Sequence, residues 1–184
     1  MSDPFFEKTL ILLCQHDDNG ALGLVVNRTT SLSVQTVIEQ LGLSLDQDFA
    51  EHRVSWGGPV EPGAGFIVYR GVVPSDEGWN VGERLAVSPS RERLMEALGQ
   101  PEPFLLCLGY AGWGPGQLDR EIGTGSWLVA DVEPEVVLET DPDERYERAL
   151  AQLGLTRNRS GCSRWTSRRA APGARARGVI PSRR

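Results

Sequence analysis

Residues 104–118 have the sequence FLLCLGYAGWGPGQL, an apolar run that leads directly into a loop with four glycines, a Tyr and a Trp. An apolar run of this length, bounded by Pro and Gly, is typical of a buried strand. Glycine loses more backbone entropy on folding than any other residue, so such a loop is expected to need left-handed or closely approached backbone. We therefore expect a strand, a glycine loop and a short helix at about 117–122, with a candidate site on the loop.

The rest of the chain alternates short apolar runs with Gly and Pro. Asn19-Gly20 stands between the apolar runs 8–14 and 22–27, which is a strong hairpin signal. Further strands are predicted at 53–56, 65–70, 84–87, 103–108, 127–130 and 135–139, and helices at 33–41, 88–98, 117–122 and 141–153. Because strands and helices do not alternate strictly, we expect an α+β fold, with a mixed β-sheet and about four short helices in one compact domain.

The net charge of −6 for the 184 residues conceals two different segments. Residues 156–184 contain nine arginines and no acidic residue, which leaves residues 1–155 with ten basic and 25 acidic side chains, a net charge of −15. We predict that 1–155 is the domain and that 156–184 is a disordered arginine-rich tail. Its arginines and Trp165 fit non-specific nucleic-acid binding, whereas the acidic domain is expected to repel DNA.

Composition also limits the class of protein. No apolar run approaches the length of a membrane-spanning helix, and the N-terminus lacks the basic region of a signal peptide. Three widely spaced cysteines and two histidines form neither a disulfide framework nor a zinc motif. We expect a cytoplasmic protein without a membrane span, and no motif implies a cofactor or a metal.

Several motifs occur in an order that identifies a family. They are Asp3-Pro4-x-Phe6, Cys14-x-His16-x-x-Asn19-Gly20-Ala21-Leu22-Gly23-Leu24-Val25-Val26-Asn27-Arg28, Gly57-Gly58-Pro59-Val60, Gly65-Phe66, and 109–118 with Trp127. Over about residues 2–155 the chain resembles the YqgE/AlgH family of bacterial proteins. The resemblance implies a compact α+β cytosolic protein of uncharacterised biochemical activity. It also implies a regulatory role, since some members are described as transcriptional regulators, but it carries no catalytic residues.

The chain departs from the family pattern at three places. The family usually has an apolar strand before Asp3-Pro4, and a wrongly chosen start codon is one hypothesis for its absence here. The arginine-rich tail has the composition of a shifted reading frame in GC-rich DNA, a hypothesis that an intact frame on resequencing would remove. Tyr69 stands where the family often has His, which weakens the case for a shared histidine site.

The candidate site combines two glycine loops, at 57–60 and 109–117, with the nearby Asn27. We expect it to bind a small ligand or a protein partner through surface and shape, because exposed aromatic side chains on glycine loops are typical of recognition surfaces. The residues proposed for this site are Asn27, Gly57, Gly58, Pro59, Gly109, Tyr110, Gly112, Trp113, Gly114 and Gln117. No catalytic or metal-binding residue is assigned.

Three other groups of residues give weaker evidence for a functional site. The glycine loop lacks the Lys-Ser/Thr and the spacing of a phosphate loop, and Asp119 follows it. Cys14 and His16 would share a face of a regular strand, but the thiol is expected to be buried. Residues 37–44 resemble the start of a helix-turn-helix, yet an acidic segment follows where DNA contacts are needed.

Three functions remain open. The leading hypothesis is a non-enzymatic binding or regulatory protein, and the alternative is an enzyme of unrecognised type that uses a cleft formed by the loops 57–60 and 109–117. An enzyme would need a titratable group there, for which the sequence offers His16, Asp119 and Glu121. A transcription factor acting directly on DNA is disfavoured by the charge of residues 1–155.

Overall fold

The computed structural model describes residues 7–43, 47–154 and 176–181. Within these residues the chain forms ten strands and five helices. The strands are β1 Ile11–Asp17, β2 Gly20–Val25, β3 Thr29–Ser33, β4 Arg53–Trp56, β5 Val60–Arg70, β6 Trp79–Val81, β7 Leu85–Ser88, β8 Phe104–Trp113, β9 Trp127–Val132 and β10 Ala176–Pro181. The helices are α1 Val34–Gln40, α2 Arg91–Leu98, α3 Gln117–Gly123, α4 Pro134–Leu138 and α5 Pro142–Gln152.

One sheet contains all ten strands. Its order is β6-β7-β5-β8-β2-β1-β10-β9, and β3 joins through β4, which pairs with β8. All these pairings are antiparallel except that of β4 with β8, so the sheet is mixed. The predicted α+β class with a mixed sheet and several short helices is therefore confirmed.

The hairpin predicted at Asn19-Gly20 is present. Strands β1 and β2 pair antiparallel, with Asp17 opposite Gly20, and the Asp17 side chain accepts a hydrogen bond from the Asn19 N–H at 2.8 Å. Gly20 has a φ of 133°, and a Cβ there would lie 2.3 Å from the carbonyl oxygen of Trp113. The glycine is required because β8 passes directly against the turn.

The core lies on both faces of the curled sheet. Helices α4 and α5 pack on one cluster, which includes Leu12, Leu24, Val137 and Tyr146. Helices α1 and α2 cover another cluster around β4, β5 and β8, and α3 covers a third at β1, β2 and β8. The sheet curls enough for β6 to approach β1, where the indole of Trp79 donates to Gln15 at 3.1 Å.

The strand predicted at 135–139 is wrong. The segment forms helix α4, whose first residue is Pro134, and Val136, Val137 and Leu138 are all buried. Proline is favoured at the first position of a helix, because the backbone N–H that it lacks would have no partner within the helix there. Three consecutive buried residues fit a short helix pressed into the core as well as they fit a strand.

The expectation of a disordered tail is wrong for residues 176–181. They form strand β10, which lies between β1 and β9 and pairs antiparallel with both. Ala176, Val179 and Ile180 are at most 1% exposed. The short Gly-Val-Ile sequence is too brief to predict a strand by itself, and it becomes one because the sheet provides a partner on each side. Residues 155–175 and 182–184 lie outside the described residues.

The described helices are all short. Within residues 7–43, 47–154 and 176–181, none is long and apolar enough to cross a membrane.

Candidate functional site

The two predicted glycine loops lie directly against each other, but the prediction of a loop from residue 109 is wrong for residues 109–113, which continue strand β8. A Cβ placed on Gly58 would lie 2.1 Å from the carbonyl carbon of Tyr110, and one on Gly57 would lie 2.1 Å from the carbonyl oxygen of Gly109. Gly58 and Gly109 both have positive φ, 152° and 74°. The loops therefore meet backbone to backbone, which only glycine allows. We call this contact the glycine junction.

Backbone hydrogen bonds connect the glycine junction to the centre of the sheet. Gly57 N–H donates to the carbonyl of Leu108, and Val25 N–H donates to the carbonyl of Gly57, both at 2.8 Å. Gly57 thus bridges β8 and the end of β2. The junction is thus hydrogen-bonded into the sheet, as buried backbone groups usually are.

Asn27 lies close to the junction but faces another segment. Its side-chain oxygen accepts the Leu10 N–H at 2.7 Å, and its amide nitrogen donates to the Lys8 carbonyl at 2.8 Å. Lys8 has a φ of 54°, which is unusual for a residue with a side chain. Asn27 therefore fixes the chain entering β1, and its amide already has two structural partners.

The accessible part of the glycine junction consists of Pro59, Val60, Tyr110 and Gly112, which we call the junction face. Val60 and Tyr110 are paired across β5 and β8, and both are half-buried, whereas Pro59 and Gly112 are exposed. The Tyr110 ring meets Phe66 edge to face at 6.0 Å. A Cβ on Gly112 would lie 3.4 Å from the Tyr110 ring. The face therefore presents one supported aromatic ring beside bare backbone.

Trp113 is not the exposed aromatic residue that the sequence suggested. It is 8% exposed, and its indole N–H donates to Glu121 at 3.1 Å. Trp113 alternates with the exposed Gly112, so its side chain lies on the opposite side of β8 and packs under α3. A direct contact of its ring with a partner therefore has no support in the structure.

Gln117 and Gly114 are joined by a hydrogen bond. The Gln117 side-chain oxygen accepts the Gly114 N–H at 3.0 Å, and its amide donates to Glu121 at 2.9 Å. Helix α3 has only seven residues, and Asp119 lies in its first turn. An occupied loop amide and an acidic first turn both oppose phosphate binding at this helix.

Cys14 and His16 do not share a face of β1 as the sequence suggested. A register shift between Leu13 and Gln15 interrupts β1, so that Cys14 packs against the core while His16 is exposed. Burial raises the pKa of the Cys14 thiol. His16 instead lies 3.1 Å from the carboxylate of Asp119 and links the hairpin to α3. A buried thiol with a raised pKa is a poor nucleophile, so this pair provides no thiol catalysis.

A cleft that sequence reasoning missed lies elsewhere. It has a volume of about 600 Å³ between residues 47–55 and 100–106, and Arg145 also borders it. The ring of His52 stacks on Phe104 with centroids 6.3 Å apart, and both rings meet Phe49 edge to face. These residues carry no common motif and come together only through the parallel pairing of β4 with β8.

Arg145 is a buried cation beside this cleft. It is 4% exposed, its Nε donates to the Thr140 carbonyl at 2.8 Å, and its Nη1 donates to the Val26 carbonyl. Within the described residues it has no ion pair with a carboxylate. Burial lowers the pKa of its guanidinium to about 10. These bonds make Arg145 a clamp between α5 and the end of β2.

The described residues contain no group of three His, Cys, Asp or Glu side chains placed to hold a metal ion. The other described thiol, that of Cys107, is fully buried, and burial raises its pKa to about 12. Neither described thiol is thus available as a thiolate at neutral pH.

The fold and the glycine junction define an α+β protein with a curled, largely antiparallel sheet. A family model described as AlgH-like, DUF179, matches residues 1–158, and the chain belongs to this family. A UPF0301 protein of Idiomarina loihiensis is 37% identical over 164 residues, with 84% of this chain and 86% of that protein covered. A UPF0301 protein of Paracoccus denitrificans is 40% identical over 162 residues, covering 84% of this chain and 85% of the relative.

Solved structures show the same fold. The chain is similar to the AlgH protein from Pseudomonas aeruginosa, with a TM-score of 0.67 and 29% identity over 89% of this chain and 99% of that chain. It is also similar in fold to protein DIP2367 from Corynebacterium diphtheriae, with a TM-score of 0.61 and 23% identity over 80% of each chain. The resemblance stated from the sequence motifs is thereby confirmed.

Proposed function

We propose that the protein is a non-enzymatic binding protein of regulatory type, which binds a protein partner through the junction face. The observation that carries the proposal is the glycine junction itself. It supports a half-buried Tyr110 beside the exposed backbone of Gly112 on a hydrogen-bonded pair of strands. Aromatic side chains held on rigid backbone lose little entropy on binding and often dominate protein interfaces.

A protein partner fits this face better than a small molecule. Small ligands are usually bound in concave pockets that bury most of their surface. At the junction the two loops are in contact through backbone atoms of Gly58 and Tyr110. No space for a ligand remains between them, and the accessible surface is the outer side of a strand pair.

The contact between the two loops also weakens the alternative that the protein is an enzyme with its active site at the glycine junction. That function required a cleft between the loops and a titratable group within reach of it. His16 is paired with Asp119, and Glu121 is engaged by the indole of Trp113. These bonds give His16, Asp119 and Glu121 structural partners within the fold.

The regulatory part of the proposal rests on the family resemblance and on charge. With −15 on residues 1–155, a regulatory role acts through a protein rather than through direct contact with DNA, because phosphates are repelled by such a surface. We place the protein in the cytoplasm on the composition of its sequence.

Native mass spectrometry of the protein purified from its own host tests this proposal. The wild-type protein and a Tyr69→Ala control are expected to retain the same protein partner, while Tyr110→Ala loses it. Tyr69 is a fair control because it is also half-buried on β5, at the other end of the β5–β8 pair. Thermal unfolding of each variant excludes loss through unfolding.

A second variant, Pro59→Arg, blocks the junction face without removing the tyrosine, since Pro59 is exposed. It is expected to lose the same partner. Equal retention by wild type, Tyr110→Ala and Pro59→Arg would refute the junction face as the binding site. A bound small molecule in place of a protein would refute the class of partner.

A further inference from the structure

Strand β10 is the second strand from one edge of the sheet, between β1 and the edge strand β9, although it is remote in sequence from both. Ile11 and Leu12 of β1 pair with Val179 and Gly178. On the other side β10 pairs with β9 over its whole length, from Ala176 opposite Val132 to Pro181 opposite Trp127. Within the described strands, β9 has no partner other than β10.

The space that β10 fills is a groove with strict side-chain requirements. We call the space between β1 and β9 the acceptor groove. Ala176 and Ile180 contribute to the core cluster that includes Leu10 and Val132, whereas Val179 contributes to the cluster on the other face. Both faces of the strand therefore carry buried residues, and Arg177 is the one residue of β10 that is exposed.

Gly178 marks the tightest point of the acceptor groove. A Cβ at this position would lie 2.9 Å from Cγ2 of Val132 and 3.1 Å from Cδ1 of Leu10. It would also lie 3.3 Å from the Ile11 carbonyl oxygen. A side chain here must displace its neighbours, so the groove selects a segment with glycine at this position and apolar residues after it.

The walls and the occupant of the groove have different origins in the chain. Strands β1 and β9 lie within residues 1–158, which match the family model, while β10 at 176–181 lies beyond them. Without an occupant, facing backbone groups of β1 and β9 would lack partners, and so would the buried side chains around them. The family region thus builds a slot that needs an extended segment to complete it.

The segment between α5 and β10 is long enough for β10 to reach the acceptor groove of another molecule. Residues 155–175 separate Gly154 from Ala176. A chain of this length spans up to ~70 Å when fully extended. That reach exceeds the size of a small domain, so covalent connectivity does not confine the strand to the groove of its own chain.

We propose that the acceptor groove is a binding site for an extended segment, that Ala176–Pro181 is its donor strand, and that the donor of a second copy can occupy it. Donor-strand binding of this kind gains affinity from main-chain hydrogen bonds and specificity from alternate side chains. Two copies that exchange β10 would form a closed dimer with the same contacts as the monomer.

The first experiment asks whether the donor binds without a covalent link. A protease site is inserted within residues 155–175 of the full chain, the folded protein is cleaved, and isotopically labelled peptide 174–184 is added. By native mass spectrometry we expect the C-terminal fragment to stay bound after cleavage and then to be replaced by the labelled peptide. Loss of the fragment on cleavage, with or without unfolding of the remainder, overturns the proposal.

Peptide variants provide the matched controls. The peptide with Gly178→Val is expected to compete at least tenfold less well, because its side chain would meet Val132 and Leu10. The peptide with Arg177→Ser is expected to compete as well as wild type, because Arg177 is exposed. Equal competition by all three peptides would mean that the groove does not select the strand, and would overturn the proposal.

The second experiment asks whether a second copy acts as donor. Two full-length chains of different mass are unfolded together and refolded at low and at high protein concentration. We expect a mixed dimer whose fraction rises with concentration and falls when both chains carry Gly178→Val. Monomers alone at every concentration would overturn the part of the proposal that concerns a second copy.

Discussion

Trp113 and Trp127 meet edge to face, with ring centroids 5.8 Å apart and 81° between their planes. Both indole N–H groups donate to the same carboxylate oxygen of Glu121, at 3.1 Å and 2.7 Å. This arrangement attaches α3 to both β8 and β9. Glu121 is thus a structural centre of the region that follows the glycine loop.

Replacement of Glu121 tests that role. Glu121→Gln is expected to lower the free energy of unfolding by about 1–3 kcal/mol, because one carboxylate oxygen is replaced by an NH2 group that cannot accept a hydrogen bond and the other becomes a neutral, weaker acceptor. Urea unfolding followed by tryptophan fluorescence measures the change. Glu147→Gln, at an exposed position on α5, is the control and should change stability by less than about 0.5 kcal/mol. Equal effects of the two substitutions would contradict the structural role.

The glycine junction predicts a steep cost for any side chain at Gly58. Gly58→Ala is expected to destabilise the protein by about 4 kcal/mol or more, because a Cβ would lie 2.1 Å from the Tyr110 backbone at a φ of 152°. Gly63→Ala on the strand that follows, β5, is the control, since a Cβ there meets nothing within 4 Å. Thermal unfolding of both variants measures the difference in stability. Similar melting temperatures would refute the close backbone contact at the glycine junction.

The buried thiols predict low reactivity in the folded protein. In a Cys162→Ser background, Cys14 and Cys107 are expected to resist a thiol-specific disulfide reagent at pH 8, because burial raises the pKa of both thiols. Both should react at once in guanidinium chloride. Rapid labelling of the folded protein, followed by absorbance, would show that the thiols are accessible after all.

The raised pKa of Cys107 also predicts a loss of stability at alkaline pH. The unfolded thiol titrates near 9.0, while the folded thiol keeps its proton until about 12. The stabilisation is therefore complete below pH 9 and declines as pH rises above it. Between pH 9 and 10 the unfolding free energy of wild type should fall more steeply than that of Cys107→Ala. Parallel slopes in chemical denaturation would contradict this assignment.

The charge division predicts where nucleic acid can bind. Because truncation after residue 155 would also remove β10, the informative variant replaces the arginines at 157, 159, 164, 168 and 169 with Ser and keeps 176–181. This variant is expected not to bind single-stranded or duplex DNA even at low salt, since its acidic part repels phosphates. Fluorescence anisotropy measures binding, and retained salt-dependent affinity would show a DNA site on the domain.

Local signals in the sequence predicted much of the fold. The hairpin at Asn19-Gly20 and the helix predicted at 141–153 are present as expected, and Asp141 is the N-cap of this helix, α5, with Pro142 next. Their determinants lie within a few residues, so a single sequence contains them. Helix α4 was missed because a buried five-residue element is too short to show a repeating helical pattern of apolar residues.

The candidate site was predictable only in part. That the loops at Gly57 and Gly109 meet could be suspected, because two glycine-rich segments each demand a close backbone neighbour. The burial of Trp113 could not, because it depends on Trp127 and Glu121 in later elements. The same holds for the groove that recruits β10, since neither wall is adjacent to the strand in sequence.

The pairing of β1 with β10 has a consequence for folding kinetics. Ile11 and Val179 are opposite each other although they lie near the two ends of the described chain. Contacts of such large sequence separation form slowly, because loop-closure entropy must be overcome before they contribute any stability. The β1–β2 hairpin can form early. Addition of β10 between β1 and β9 is expected to be the rate-limiting step, so that folding passes through a collapsed intermediate in which β10 is not yet paired.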